Sequence, residues 1–182
     1  IEANPEDLFI LSDSDEIPNL EKVNFGQMNN KILIFKQKMF YYKFNLHYDL
    51  VPWFGSRACA VRRLVTPTWL RYIKAKKYSL LRIDSWFSKT RYNSVKIIEN
   101  GGWHFSNVKS PGDIEKKLFN FGHHNEVEES GINLEKIKEM VREKKIYYDH
   151  LADKTQQKHR IEGYELKKLD FSELPSYLIK NY

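Results

Sequence analysis

The sequence predicts a mixed α/β fold, and three observations carry that expectation. Apolar and β-branched runs free of Gly and Pro occur at Leu8–Leu11 and from Lys31 to Leu46. Segments of helical periodicity follow clear start signals at Thr66-Pro67, Ser110-Pro111 and Asn133. The two kinds of segment alternate, though irregularly, which suits a mixed sheet with helices. The 182 residues suffice for one domain with a sizeable core, and residues 1–182 are read as one. A hydrophobic share of 41% with 30% charged residues is a globular balance rather than a disordered one.

Taken in order, Leu8-Phe9-Ile10-Leu11 reads as a short buried strand. It runs straight into Ser12-Asp13-Ser14-Asp15-Glu16, and Pro18 closes the segment. Leu20 to Met28 suggests a helix, with Asp15 or Glu16 near its start. Lys31 to Leu46, rich in Ile, Phe and Tyr, predicts one long strand or two paired ones. Pro52-Trp53-Phe54-Gly55 is expected to break it, and Ser56 to Leu64 to form another strand. Thr66 then starts a helix with Pro67 at its first position and Trp69, Leu70 and Ile73 toward the core. Val95 to Ile98 is a β-branched strand leading to Gly101-Gly102, where the backbone can approach closely or take positive φ before Trp103-His104. A helix opens at Ser110-Pro111-Gly112-Asp113, carries Ile114, Leu118 and Phe121, and stops at Gly122. After the loop His123-His124-Asn125-Glu126, Asn133 caps a helix through Lys144 with Leu134, Ile137 and Val141 on one face. Tyr164 to Leu169 reads as a last strand, and Leu174-Pro175-Ser176-Tyr177-Leu178 begins a short terminal helix.

Composition excludes several classes. No apolar stretch approaches the roughly 20 residues needed to span a bilayer, and the first residues lack the basic-apolar-small order of a signal peptide. The single cysteine, Cys59, rules out an intrachain disulfide framework and a cysteine-based zinc site. Its strand-like surroundings suit a buried thiol rather than a nucleophile. A net charge of +6 favours anionic ligands such as nucleotide diphosphates, phosphorylated glycans or nucleic acid. The 14% aromatic content serves cores first, and stacking on sugars or bases second.

Three clusters carry possible chemistry. Asp13, Asp15 and Glu16 follow a strand at its carboxyl end, where open α/β sheets bind ligands. Asp-x-Asp there can hold a divalent cation, and the cation a diphosphate; hard oxygen ligands suit Mg²⁺ or Mn²⁺. The same residue types are also ordinary turn formers. His104 could complete a metal shell or be a hydrogen-bonded loop histidine, and Trp103 could stack on a sugar or fill a core. Glu126, beside two histidines, suits a general base or a binding residue, and equally a polar loop ahead of Glu128-Glu129.

Three blocks resemble the signatures of glycosyltransferase family 17, whose known member is a β-1,4-mannosyl-glycoprotein 4-β-N-acetylglucosaminyltransferase. They are Ser12-Asp13-Ser14-Asp15-Glu16-Ile17-Pro18, Gly102-Trp103-His104-Phe105-Ser106 and Leu174-Pro175-Ser176-Tyr177-Leu178-Ile179-Lys180-Asn181, in the family's order. Tyr41 to Leu46, Trp53 to Leu64 and Lys116 to Glu126 are similar to it as well, so the resemblance covers the chain from about Pro5 onward. It implies a GT-A-like mixed sheet flanked by helices, a UDP-sugar donor such as UDP-GlcNAc, a glycan acceptor and a divalent Mn²⁺ or Mg²⁺. It also implies inverting transfer that leaves a β linkage. By the same resemblance Asp15 would ligate the metal, Asp13 would bind ribose or reach the metal through water, and His104 would be a third ligand or a diphosphate contact.

The metal would neutralise charge on the departing UDP, and a carboxylate would take the acceptor's proton. Glu126 is the first nominee for that base, with Glu16 and Asp84 as alternates. Arg62 or Arg63 is expected on phosphate oxygens, but on a strand only one can face the site. A GT-A-like domain normally opens with a nucleotide-binding βαβ region, whereas seven residues precede the apolar run here, so the chain is expected to be a fragment or truncated relative following that region, or to take its donor site from elsewhere. A bisected N-glycan acceptor would imply a Golgi lumen, and a microbial or viral acceptor the cytoplasm. Two other readings compete: a carbohydrate-binding remnant without catalysis, and a basic aromatic nucleic-acid module. The Asp-x-Asp-Glu cluster opposes the latter, because it repels phosphate unless a metal intervenes.

Overall fold

The computed structural model describes residues 2–24, 31–76, 79, 81, 83, 87, 88, 90, 94–120, 131–148 and 159–181. Among these the fold is mixed α/β, as the alternation predicts. The strands are β1 (Leu8–Leu11), β2 (Glu16–Pro18), β3 (Ile32–Tyr41), β4 (Leu46–Ala60), β5 (Val95–Ile98), β6 (Gly102–Ser106), β7 (Lys145–Tyr148), β8 (His159–Glu165) and β9 (Lys167–Lys168). The helices are α1 (Pro67–Tyr72), α2 (Pro111–Asn120), α3 (Leu134–Glu143) and α4 (Ser176–Asn181). One sheet runs in the order β1-β4-β3-β6-β2, with β5 added to β3 and β9 to β4; β7 and β8 form a separate pair. The sheet is mixed, since β1 and β4 are antiparallel while β3 and β5 are parallel.

The chain divides into two compact units. The first comprises residues 1–38 and 52–104. Its sheet is covered on both faces, which is why its strands read as continuous apolar runs rather than alternating ones. Leu33, Phe35, Ala58 and Ile98 pack on one side with Val23, Leu8 and Ile10. Ile32, Ile34, Cys59 and Leu70 pack on the other with Phe9, Leu11, Trp69 and Ile73. Neighbouring residues of β1 and β3 thus serve opposite faces, as the period of two requires. Helix α1 begins as expected: Thr66 accepts from the Trp69 amide at 3.0 Å and Pro67 stands in the first turn.

The second unit comprises residues 39–51 and 105–182. Its core is largely aromatic: Phe40 lies 5.3 Å from Phe105, and Tyr48 5.5 Å from Tyr164, by ring centroids. Asn133 caps α3 through the Lys136 amide, and Lys144 ends it in the left-handed region, so the helix stops one residue before the expected end. Ile137 and Met140 form its buried stripe.

Three expectations need correction. Pro52-Trp53-Phe54-Gly55 does not break the strand: β4 passes through it without interruption. Ser56 to Leu64 is not one strand either, because the chain leaves β4 at Ala60 for a 3₁₀ turn at Val61–Arg63. The helix expected from Leu20 begins as a 3₁₀ turn at Leu20–Lys22 and is left by extended backbone at Val23. The expected Phe121, Gly122 and His123 to Glu126 lie outside the described residues, as does Asp84. Among the described residues no helix is long and apolar enough to cross a membrane.

Candidate functional site

The acidic turn is closed by its own backbone. The Glu16 amide donates to the Asp13 carbonyl at 3.1 Å, and the Asp13 amide donates to Glu16 Oε2 at 3.2 Å. The chain then enters β2, antiparallel to β6, with Glu16 opposite His104, Ile17 opposite Trp103 and Pro18 opposite Gly102. Gly102 makes this pairing possible. Its φ is +130°, and a Cβ there would meet the Ile17 carbonyl oxygen at 2.1 Å, so only glycine fits. The pairing carries Asp15 to His104, with Asp15 Oδ2 3.4 Å from His104 Nε2. The imidazole is buried, while the carboxylate remains about a third exposed, at 31%. The site is therefore open on the Asp15 side.

Trp53, from β4, touches both members of the Glu16–His104 pair. Its indole stacks on the imidazole with centroids 4.4 Å apart and planes 19° apart. Its Nε1 donates to Glu16 Oε1 at 2.8 Å. The Glu16 carboxylate, 9% exposed, also accepts from Ser56 Oγ at 3.2 Å. Ser56 is saturated by this arrangement, donating its one proton to Glu16 and accepting from Ser12 Oγ at 2.7 Å and Gln37 Nε2 at 3.1 Å. A Cβ on Gly55 would lie 2.0 Å from Gln37 Oε1 and 2.6 Å from Glu16 Oε1, so the glycine makes room for the two buried side chains. A buried carboxylate is tolerated only when hydrogen-bonded in this way.

Two arginines complete the electrostatics. Arg71, in α1, grips Asp13 with both terminal nitrogens, at 2.5 and 3.3 Å. The hydrogen bond to Asp13 raises the Arg71 pKa further. Arg57 donates to the Gly55 carbonyl at 2.6 Å. Burial lowers its pKa, opposed by the charges of Glu16 and Asp13 and assisted by that of Arg71. The acidic turn is thus balanced by cations from β4 and α1.

Of the residues singled out in the sequence, Asp13, Asp15, Glu16 and His104 come together here. Trp103 does not join His104: as the preceding residue of β6 it points to the opposite face, across from Ile17. Arg62 lies on the 3₁₀ turn and pairs with Glu6 at 2.8 Å. Glu126 lies outside the described residues. Sequence reasoning did not select Trp53, Ser56, Gln37, Arg57 or Arg71. Trp53 sat in a segment read as a break, and nothing local distinguishes Arg71 from other exposed arginines. Among the described residues no group of three or more His, Cys, Asp or Glu side chains is placed to hold a metal ion by itself. Comparison of the chain with models of protein families, with curated proteins and with solved structures finds no match.

Proposed function

We propose that this chain is the catalytic portion of a metal-dependent inverting glycosyltransferase with a GT-A-like fold. It would move a sugar, GlcNAc from UDP-GlcNAc as first choice, to a glycan hydroxyl with formation of a β linkage. The observation that carries the reading is the Asp15–His104 pair, Oδ2 to Nε2 at 3.4 Å. Its two members come from separate signature-like blocks, 89 residues apart in the sequence. The resemblance to family 17 named both residues as metal or diphosphate contacts.

The donor set fits a metal held jointly with a diphosphate. One carboxylate oxygen and one imidazole nitrogen are two protein ligands of the kinds Mn²⁺ accepts. Ions in phosphate-transfer sites are commonly held by one or two protein groups plus substrate phosphates and water. When bound, such an ion supplies charge neutralisation at the leaving diphosphate. Asp15 and His104 would hold it. Asp13, gripped by Arg71, would shape the turn and offer its charge or a water contact to the ribose or metal. Glu126 is the nominated base that takes the acceptor's proton.

The test is a thermal-shift titration with Mn²⁺ alone, UDP-GlcNAc alone, and both. The expected result is a rise in Tm with both that exceeds the sum of the separate rises, abolished in Asp15→Ala. Absence of a shift with any UDP-sugar in the presence of Mn²⁺ or Mg²⁺ would overturn the reading.

A further inference from the structure

We infer that Glu16 and Trp53 are positioning residues for His104, acting as a two-step brace that aims its Nε2 at Asp15. This rests on the proposed role of the Asp15–His104 pair, but the brace itself is a property of the fold. Glu16 and His104 face each other across β2 and β6. The indole of Trp53 links the two, hydrogen-bonded to Glu16 Oε1 at its nitrogen and stacked on the imidazole through its face.

The geometry restricts each part in turn. Glu16 cannot swing, because Ser56 and the Asp13 amide hold its second oxygen. The carboxylate therefore offers one fixed acceptor to the indole. A bonded indole cannot rotate in its plane, and its stacked face limits tilting of the imidazole. The remaining freedom of His104 is spin about its own axis, which contact with Asp15 at 3.4 Å opposes. Groups that orient a metal-binding histidine in this manner contribute to affinity without touching the metal.

This assignment differs from two others available to Glu16. A general base needs a free oxygen toward substrate, and a metal ligand needs its charge. A positioning acceptor needs an oxygen for the indole, which an amide also has, although the amide nitrogen cannot accept from Ser56 and the Asp13 amide as Oε2 does. The variants Glu16→Gln and Glu16→Leu therefore separate the roles. Ser56→Ala, which removes one support of the carboxylate, gives a milder third variant, and Trp53→Leu removes the brace from the other side.

Two measurements decide the matter. The first needs no metal: the imidazole carbon-bound protons of His104, assigned by their loss in His104→Asn, are followed by NMR. Stacking under an indole shifts them upfield. Glu16→Leu and Trp53→Leu should abolish most of that shift, and Glu16→Gln, which keeps only the acceptor for the indole, should retain part of it. The second is the loss of the free Mn²⁺ electron-paramagnetic-resonance signal in the presence of UDP, below the melting temperature of each variant. Affinity should fall about 10- to 100-fold in Glu16→Leu and Trp53→Leu, and by less in Glu16→Gln. Should Glu16→Leu fail to fold, Ser56→Ala and Glu16→Gln carry the comparison, and an unchanged shift in both overturns the brace. An unchanged His104 shift in folded Glu16→Leu overturns the brace. Wild-type protein that binds no Mn²⁺ with UDP overturns the proposed function, while the NMR shifts still judge the brace.

Discussion

The indole of Trp53 lies nearly flat on the imidazole of His104, 4.4 Å away and 19° from parallel, while its nitrogen bonds the residue paired with that histidine across the sheet. Stacked rings of this kind contribute roughly 0.5–1.5 kcal/mol beyond the area they bury. The larger consequence is geometric. One side chain of β4 ties the acidic turn after β1 to the histidine of β6, so distant segments share one polar centre.

Gly55 tests how tightly that centre is packed. A methyl group there would stand 2.0 Å from Gln37 Oε1 and 2.6 Å from Glu16 Oε1. Both side chains are buried, at 3% and 9% exposure, so neither tip can swing into solvent. Gly55→Ala should lower stability by about 1–3 kcal/mol, the usual range for overpacking, measured by urea unfolding. Gly112, with nothing within 4 Å of a Cβ, is the control; Gly112→Ala in α2 should be neutral or gain up to about 0.5 kcal/mol. Equal tolerance at both positions would mean that Glu16 and Gln37 are not close-packed against Gly55.

Arg71 and Asp13 should behave as a surface pair despite their bidentate geometry. The guanidinium is 49% and the carboxylate 45% exposed. A double-mutant cycle with Arg71→Ala and Asp13→Ala should give a coupling of about 0.5 kcal/mol at low salt. It should shrink toward zero in about 1 M salt, where screening reaches about 3 Å. Coupling that persists at high salt would show the pair to be shielded from solvent.

Much of this was legible in the sequence wherever local chemistry decides the outcome. Leu8–Leu11 and Val95–Ile98 are strands over the expected residues, and Thr66-Pro67 and Asn133 start helices through the caps that their side chains make. The Pro52–Gly55 segment was misread because breaker residues were given their local meaning. In the structure Gly55 is there to admit Glu16 and Gln37, a reason visible only once β2, β3 and β4 are assembled in one sheet. Trp103 and Trp53 illustrate the same limit. Trp103 stands beside His104 in sequence and points to the other face; Trp53 is 51 positions away, by 104 − 53, and stacks on it.

Cys59 offers a simple measure of how the first unit opens. Its thiol is fully buried among Ile32, Ile34 and Leu70, and burial pushes its pKa up to about 11. Thiolate is the reactive form, so native protein at pH 8 should react with a thiol reagent on the order of 100-fold or more slowly than unfolded protein. Denaturant should release one equivalent, since the chain has one cysteine. The raised pKa stabilises the fold fully below the ordinary thiol value near 8.5 and less as pH rises toward the folded value. Rapid stoichiometric labelling of folded protein would contradict the burial.

In the second unit, Asp49 sets a pH window from both sides. It accepts hydrogen bonds from the Lys167 ammonium and the Tyr164 hydroxyl, close to the β4–β9 pairing of His47 with Lys167. These bonds lower the Asp49 pKa below its ordinary value, with Lys167 the larger cause. A depressed carboxylate contributes stability above its unfolded pKa, near 3.9, and loses it as pH falls through the folded value. The same bonds raise the pKa of Tyr164 and of Lys167. Raised groups contribute fully below their unfolded values, near 10 and 10.4, and lose that contribution as pH climbs through the folded ones. The stability difference between wild type and Asp49→Asn should therefore form a plateau from about pH 5 to 9 and close at both ends. Tyr164→Phe should remove part of the alkaline limb and reduce the acid limb less, because Lys167 dominates the shift of Asp49. Urea unfolding at stepped pH gives the comparison, and added salt should lower the plateau, since all three groups lie near solvent. A difference that stays constant from pH 2 to 11 would mean that the three side chains do not interact in solution.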